Sequence, residues 1–405
     1  MTTGVGGSTT EEALARLTDM TDGITPIGKP EFLARLDRAA TLMRDRGWQA
    51  MLATAGTNML YFTGTHWHLS ERLVAVLIFP DASMTYIAPA FEESTLQDFM
   101  CLEGPVATWE EHENPYQLVA GLLAQKGITS GILGMDESAP FFVSNGVAKA
   151  SPQLELTDAA EITAACRMVK SPAEIAIMQR AMDMTLAVHK ATASILREGI
   201  TTTEVEAFID QAHRKVGAPA GNYFVIVLFG EATAYPHGVK DPQVLKPGDT
   251  VLVDSGCQVH DYISDLTRTY VFGDPSDRQR EVWNHERTAQ SAAFDAAKPG
   301  APTAALDIAA RSYLETQGYG PDYQVPGLPH RTGHGIGLDI HEWPFLVRSN
   351  TTPLAPGMCF SIEPMICIYG EFGIRLEDHF YMTEDGPKWF TEPAPSIDDP
   401  FALNA

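Results

Sequence analysis

Apolar residues recur at helical spacing over residues 31–46, and Gly47 follows as a stop signal, which predicts a helix there. Short apolar runs at 50–53, 75–79, 85–88 and 132–134 predict strands, with helices expected over 92–100 and 115–126. Strands separated by helices argue for a small α/β domain ending near residue 160. Residues 1–28 are small, polar and weakly patterned, and are expected to form a flexible lead-in. In Ser171-Pro172-Ala173-Glu174, Ser171 is placed as N-cap, Pro172 at the first helical position and Glu174 to close a capping box. The helix it opens can run to Arg197, with Gly199 behind it, and Met178, Met182 and Met184 are its core positions. The expected domains are therefore 29–165, α/β, and 166–405, α+β.

The second domain contains an internal repeat. Arg197-Glu198-Gly199-Ile200-Thr201-Thr202 reappears 101 residues later as Lys298-Pro299-Gly300-Ala301-Pro302-Thr303, and Gly217 matches Gly318 at the same offset. Tyr235-Pro236-His237-Gly238-Val239 matches Thr332-Gly333-His334-Gly335-Ile336. Leu245-Lys246-Pro247-Gly248 matches Leu354-Ala355-Pro356-Gly357, which sets Asp254 opposite Glu363. Each half reads helix, helix, strands, so two similar halves are expected to face each other about a pseudo-twofold axis.

Charge narrows the partners. Lys and Arg number 28 against 52 Asp and Glu, a net charge of −24, which argues against nucleic acid or an anionic membrane surface. Five scattered cysteines without a CxxC pair suit a reducing compartment rather than a disulfide framework or a cysteine zinc site. There is no signal-peptide layout and no apolar run of 18 residues, so a cytoplasmic protein is expected.

The candidate chemistry lies in the repeat. Residues 250–254 and 263–272 read as strands, and Asp254 and Asp265 are symmetric about the Val259–His260 link. A hairpin turning there would set them directly across from each other, with Cβ atoms roughly 4.5–5.5 Å apart. Glu363 and Glu377 are likewise symmetric about Gly370, and His334 lies between the hairpins, flanked by Gly333 and Gly335. Carboxylates held so close repel unless a cation or proton sits between them. Four carboxylates and an imidazole suit two divalent ions of the Mn, Co or Zn kind, which could share a bridging water and supply hydroxide near neutral pH. The plain alternative is a set of hairpin carboxylates neutralised by Arg268 and Arg375.

The chain resembles the "pita-bread" metallopeptidases, the family of prolidase, aminopeptidase P and the metal-free creatinase. The resemblance is carried by Val253-Asp254-Ser255-Gly256, Ser264-Asp265-Leu266-Thr267-Arg268-Thr269, His330-Arg331-Thr332-Gly333-His334-Gly335-Ile336-Gly337, Leu338-Asp339-Ile340-His341-Glu342, Ser361-Ile362-Glu363-Pro364 and Gly373-Ile374-Arg375-Leu376-Glu377-Asp378. It spans nearly the whole chain. It implies a creatinase-N-like α/β domain, a pseudo-twofold α+β pita-bread catalytic domain, and five metal ligands at Asp254, Asp265, His334, Glu363 and Glu377.

The resemblance also implies an Xaa-Pro dipeptidase, a homodimer holding two divalent ions, manganese first and cobalt or zinc as alternatives. His237 and His341 are the expected catalytic histidines, His341 as oxyanion donor, with Glu363 relaying a proton. His330 would help hold the proline or its carboxylate. Arg375 would orient a ligand or grip a substrate carboxylate. Some prolidases carry an Arg four residues after the equivalent of His341; Phe345 stands there in this chain, which makes Arg348 the substitute candidate for the carboxylate. Thr65-His66-Trp67-His68 lacks nearby acids and is not read as a metal site; that loop, with Tyr61, Trp67 and Arg72, is expected to reach a partner subunit's cleft. The rivals are aminopeptidase P acting on longer peptides, a creatinase- or ectoine-hydrolase-like C–N hydrolase, and a non-catalytic binding module.

Overall fold

A computed structural model describes residues 2–404 and divides the chain into two compact bodies, 27–167 and 1–26 with 168–405. The first body is a six-stranded sheet in the order Val106–Trp109, Met84–Pro89, Ala75–Ile78, Trp48–Thr54, Gly131–Met135, Leu154–Asp158. Trp48–Thr54 runs parallel to Gly131–Met135 and antiparallel to Ala75–Ile78, so the sheet is mixed. Its central strands are buried on both faces, which is why they read as continuous apolar runs rather than alternating ones. Ala50, Leu52, Leu77, Leu133, Val119 and Leu123 form its core. Tyr61 is enclosed there, donating its hydroxyl to the Cys166 carbonyl at 2.9 Å beneath the Arg35 guanidinium, so it is core and not available to a partner's cleft.

The second body begins with the helix Pro172–Ser194, opened by the Ser171/Glu174 capping box and ending three residues before Arg197. Met178, Met182 and Met184 are fully buried on it. Its last carbonyls lack partners within the helix, and the N-terminal segment supplies them: Gly6 N–H donates to Ala193 O and Ser8 N–H to Ser194 O. The expected flexible lead-in is therefore an ordered part of this body, with a capped helix of its own at Thr10–Ala15. Small residues looked unstructured because their role is to lay backbone against a helix end.

Helices Pro172–Ser194 and Thr202–Lys215 accompany the strands Asn222–Phe229, Thr250–Val259, Tyr262–Ile263 and Leu266–Val271. Helices Asp277–Ala296 and Ala304–Thr316 then precede a five-stranded sheet in the order Glu342–Leu346, Gly333–Gly335, Cys359–Ile362, Asp378–Thr383, Gly386–Trp389. Met365–Ile368 and Phe372–Arg375 extend from it as a two-stranded ribbon. The element order helix, helix, strands thus occurs twice. Trp283, buried on Asp277–Ala296, donates Nε1–H to the Thr269 carbonyl and fixes the second helix pair against the first hairpin. Among the described residues no helix is long and apolar enough to cross a membrane.

Candidate metal centre

Strand Thr250–Val259 is apolar except at Thr250, Asp254, Ser255 and Gln258, and its return strand pairs with it in one register: Asp254 faces Thr267, and Leu266 faces Ser255. Gln258 faces Ile263 in the same register, so the turn is His260–Asp261, one residue beyond the expected centre. Both turn residues have positive φ, 43° and 75°, the geometry of a tight two-residue hairpin in which Gly or Asn is the usual signal. Asp265 therefore lies diagonally from Asp254, on the same face, rather than directly across. Gly256 permits this, because a Cβ there would stand 1.7 Å from the Ser264 carbonyl oxygen.

The second hairpin keeps the expected symmetry. Met365 pairs with Arg375 and Ile362 with Asp378, a single register about Gly370 that sets Glu363 opposite Glu377. The two hairpins meet at one rung, where Thr267 and Glu377 exchange backbone hydrogen bonds of 3.4 and 3.1 Å. Arg268 clamps this junction, donating to the Glu377 carbonyl and, at 2.6 Å, to Asp378. Its charge is spent there and not on the four candidate carboxylates.

His334 lies on the short strand Gly333–Gly335, where a Cβ on Gly333 would stand 2.1 Å from the Ser361 carbonyl oxygen. His334 Nδ1–H donates to the Gly335 carbonyl at 3.0 Å, which leaves the Nε2 lone pair free. That lone pair faces Glu363 Oε1 at 3.1 Å, Asp265 Oδ2 at 3.7 Å and Glu377 Oε1 at 3.8 Å. Asp254 Oδ1, Asp265 Oδ1 and Glu377 Oε1 are buried without a hydrogen-bond partner among the described residues. Lone pairs and carboxylates turned on one another in a buried site fit a divalent cation, the one group that satisfies all of them.

The electrostatics agree. Burial, reinforced by neighbouring carboxylates, pushes Asp265 and Glu377 well above the ordinary carboxylate range. Asp254 rises as well, burial outweighing the Arg375 guanidinium. Glu363 goes the other way in the metal-free site: burial would raise it, but His334 and His330, when their rings carry the proton, and the Arg375 guanidinium outweigh that and hold it well below the usual range. Glu363 is thus the carboxylate of the group whose ionised form is favoured, while burial disfavours ionisation of Asp254, Asp265 and Glu377 in the metal-free site.

These side chains open on a cleft of about 490 Å³ that His237, His330, His341, Arg331 and Arg375 also line. Arg375 donates to Asp254 at 2.5 Å, Thr267 Oγ1 at 3.2 Å and the Pro236 carbonyl at 3.0 Å. Of its two expected roles, orienting Asp254 is the one these bonds leave open. His341 packs against His334 with ring centroids 4.1 Å apart and planes tilted by 52°; burial and then His334 lower its pKa to about 4, so it is neutral. His330 donates Nδ1–H to the Arg331 carbonyl at 2.7 Å, making its buried Nε2 an acceptor. His237 stands at the exposed rim.

Arg348 is not at the cleft. It lies beyond the strand Glu342–Leu346, exposed, paired with Asp322, with its backbone N–H on Asp307. The sequence placed it by proximity to Phe345, but the chain has left the sheet by residue 348. Two residues were given no role from sequence. His379, fully buried, groups with Asp265, His334 and Glu377 so that one donor atom of each lies within 4.8 Å of the others. Arg331 lines the cleft from within a quoted motif. Spacing alone could have found His379, since it follows Glu377 by two on a strand and shares its face.

Residues 176–384 match the model of metallopeptidase family M24, and 35–169 that of the creatinase/prolidase N-terminal domain. An Xaa-Pro dipeptidase of Lactobacillus helveticus is 32% identical over 361 residues, 88% of this chain and 96% of that protein. The solved dipeptidase PepE of Mycobacterium ulcerans superposes with a TM-score of 0.84 at 34% identity, over 91% of this chain and 97% of that one. A prolidase of Thermococcus sibiricus superposes with a TM-score of 0.81 at 28% identity, over 90% and 98%. Two repeated halves that pool buried acids and a histidine, behind an α/β domain of matching type, are the pita-bread arrangement, and the chain belongs to metallopeptidase family M24.

Proposed function

We propose that the protein hydrolyses Xaa-Pro dipeptides, using two divalent ions held by Asp254, Asp265, His334, Glu363 and Glu377. The supporting observation is the convergence of three partnerless buried carboxylate oxygens and the free His334 Nε2 on one cleft. Bound ions would acidify a water and polarise the scissile carbonyl; a donor set dominated by carboxylate oxygen favours manganese over cobalt or zinc.

The chain's own groups supply the rest. Glu363, ionised and only partly buried, is the base that takes the water's proton and passes it to the prolyl nitrogen, which must gain a proton to leave. His341, neutral near pH 7, donates an N–H to the carbonyl oxygen as negative charge develops there. Arg375 fixes the Asp254 carboxylate, so that ligand does not reorient when substrate enters. Phe224, Ile226, Pro329 and Ile340 give the cleft an apolar wall suited to a pyrrolidine ring. His330, an acceptor in its observed tautomer, suits the substrate's amino group better than its carboxylate. His237, at the rim, contacts substrate as it enters.

The test is a panel of Ala-Pro, Met-Pro, Ala-Pro-Ala and Ala-Ala on protein stripped of metal and then reloaded with Mn²⁺, Co²⁺ or Zn²⁺. Dipeptide turnover that appears only on reloading is expected. Absence of turnover with every ion would sink the proposal, and a preference for Ala-Pro-Ala would assign the aminopeptidase P activity instead.

A further inference from the structure

Two guanidinium groups line the cleft, and they differ in one respect. Arg375 is engaged on every side by Asp254, Thr267 and the Pro236 carbonyl. Arg331 has no hydrogen-bond or ion-pair partner among the described residues, and its Nη1 is buried with none. The described residues supply no acceptor to neutralise this guanidinium, so its charge and its accessible N–H groups are left for an anionic ligand.

The surroundings hold this group in place. The guanidinium lies over the Phe345 ring, 4.2 Å from its centroid, and Trp343 braces that ring edge-on at 5.7 Å. Phe345 is the direct strand partner of His334, so the platform under the charge sits on the His334 side of the cleft. The backbone around Arg331 is fastened: Arg311 donates to the His330 and Leu328 carbonyls, and Thr332 donates to Asp307 at 2.6 Å. Stacking on a ring fixes the plane of a guanidinium and leaves its N–H edge free, the geometry that accepts a planar carboxylate. The cleft is otherwise rich in acids, so a substrate's negative end needs a cation set apart from them.

We propose that Arg331, stacked on Phe345, binds the free C-terminal carboxylate of the substrate and so makes the enzyme select for peptides that end one residue after the scissile bond. The inference rests on the Xaa-Pro reading above and adds to it the residue that measures length. Arg348, the candidate from sequence, is committed to Asp322 and Asp307 away from the cleft.

The experiment crosses protein with substrate: wild type, Arg331→Met and Arg331→Lys against Ala-Pro and Ala-Pro amide, with melting temperature and metal content recorded for each protein. Wild type is expected to favour the free acid by roughly 10- to 100-fold in kcat/KM, as a charge-assisted pair implies. Arg331→Met should lower kcat/KM for the acid far more than for the amide, chiefly through KM, so that the two substrates converge. Arg331→Lys should keep part of the preference, having charge without the stacked fork. A folded, metal-loaded Arg331→Met that retained the wild-type preference would overturn the role of Arg331 while leaving prolyl hydrolysis standing. A wild type that turned over acid and amide equally would do the same. A wild type that cleaved neither would overturn both readings.

Discussion

His379 is enclosed on all sides, and neither of its ring nitrogens has a hydrogen-bond partner. Its Nε2 lies 4.0 Å from Glu377 Oε1, and burial, then His334, holds it neutral. A neutral imidazole among candidate ligands either joins the ion or orients the carboxylate beside it, and outer partners of this kind carry 10- to 100-fold in metal affinity. His379→Ala is therefore expected to weaken Mn²⁺ or Zn²⁺ binding by about that factor, read by competition with a chromophoric chelator. An unchanged affinity would show the ring to be mere filling. The four acids and His334 were legible at this scale because charged residues recurred at matching places inside apolar strands. Arg331 and Arg348 were not, because a long side chain's reach depends on where the loop behind it is tied. Here Asp307 ties it, receiving Thr332 and the Arg348 backbone.

Hairpins and helix caps show which local signals carry. The Ser171/Glu174 box was read correctly because capping is chemistry between residues three apart. The Gly370 hairpin was also legible, with glycine at its positive-φ position, φ 84°. The His260–Asp261 turn misled by one residue because neither residue is the Gly or Asn that usually marks a left-handed turn, and the error moved Asp265 from opposite Asp254 to the diagonal. That diagonal depends on Gly256. Gly256→Ala would drive a methyl into the Ser264 carbonyl, and neither backbone can yield without displacing Asp265. A loss of about 3 kcal/mol in urea unfolding, with reduced metal content in what remains folded, is the expected result. A variant with wild-type stability and metal content would show that this strand pair adjusts freely.

For the molecule as a whole, the buried carboxylates tie stability to metal and pH. In metal-free protein, Asp265 and Glu377 keep protons that the unfolded chain has already released. The folded state then binds more protons, so stability falls as pH rises above the ordinary carboxylate range. His189 and His213 act with the opposite sign at lower pH: burial holds them neutral, His213 down to about 4, so unfolding takes up protons as pH drops below 6.5. Ion binding needs the carboxylates deprotonated and removes the first penalty. Mn²⁺ at about 100 times its Kd should add about 2.7 kcal/mol. The rise in melting temperature at a fixed total Mn²⁺ should be larger at pH 8 than at pH 6, and an equal or smaller rise at pH 8 would contradict the assignment.

The shared rung between Thr267 and Glu377 joins halves that each hold only part of the proposed donor set. Asp254 and Asp265 come from one, His334, Glu363 and Glu377 from the other, so neither can chelate as the pair does. A chain severed near Gly273-Asp274-Pro275, between the halves, would hold cations only while the pieces stayed docked, and cation retention would then report reassembly of the two fragments.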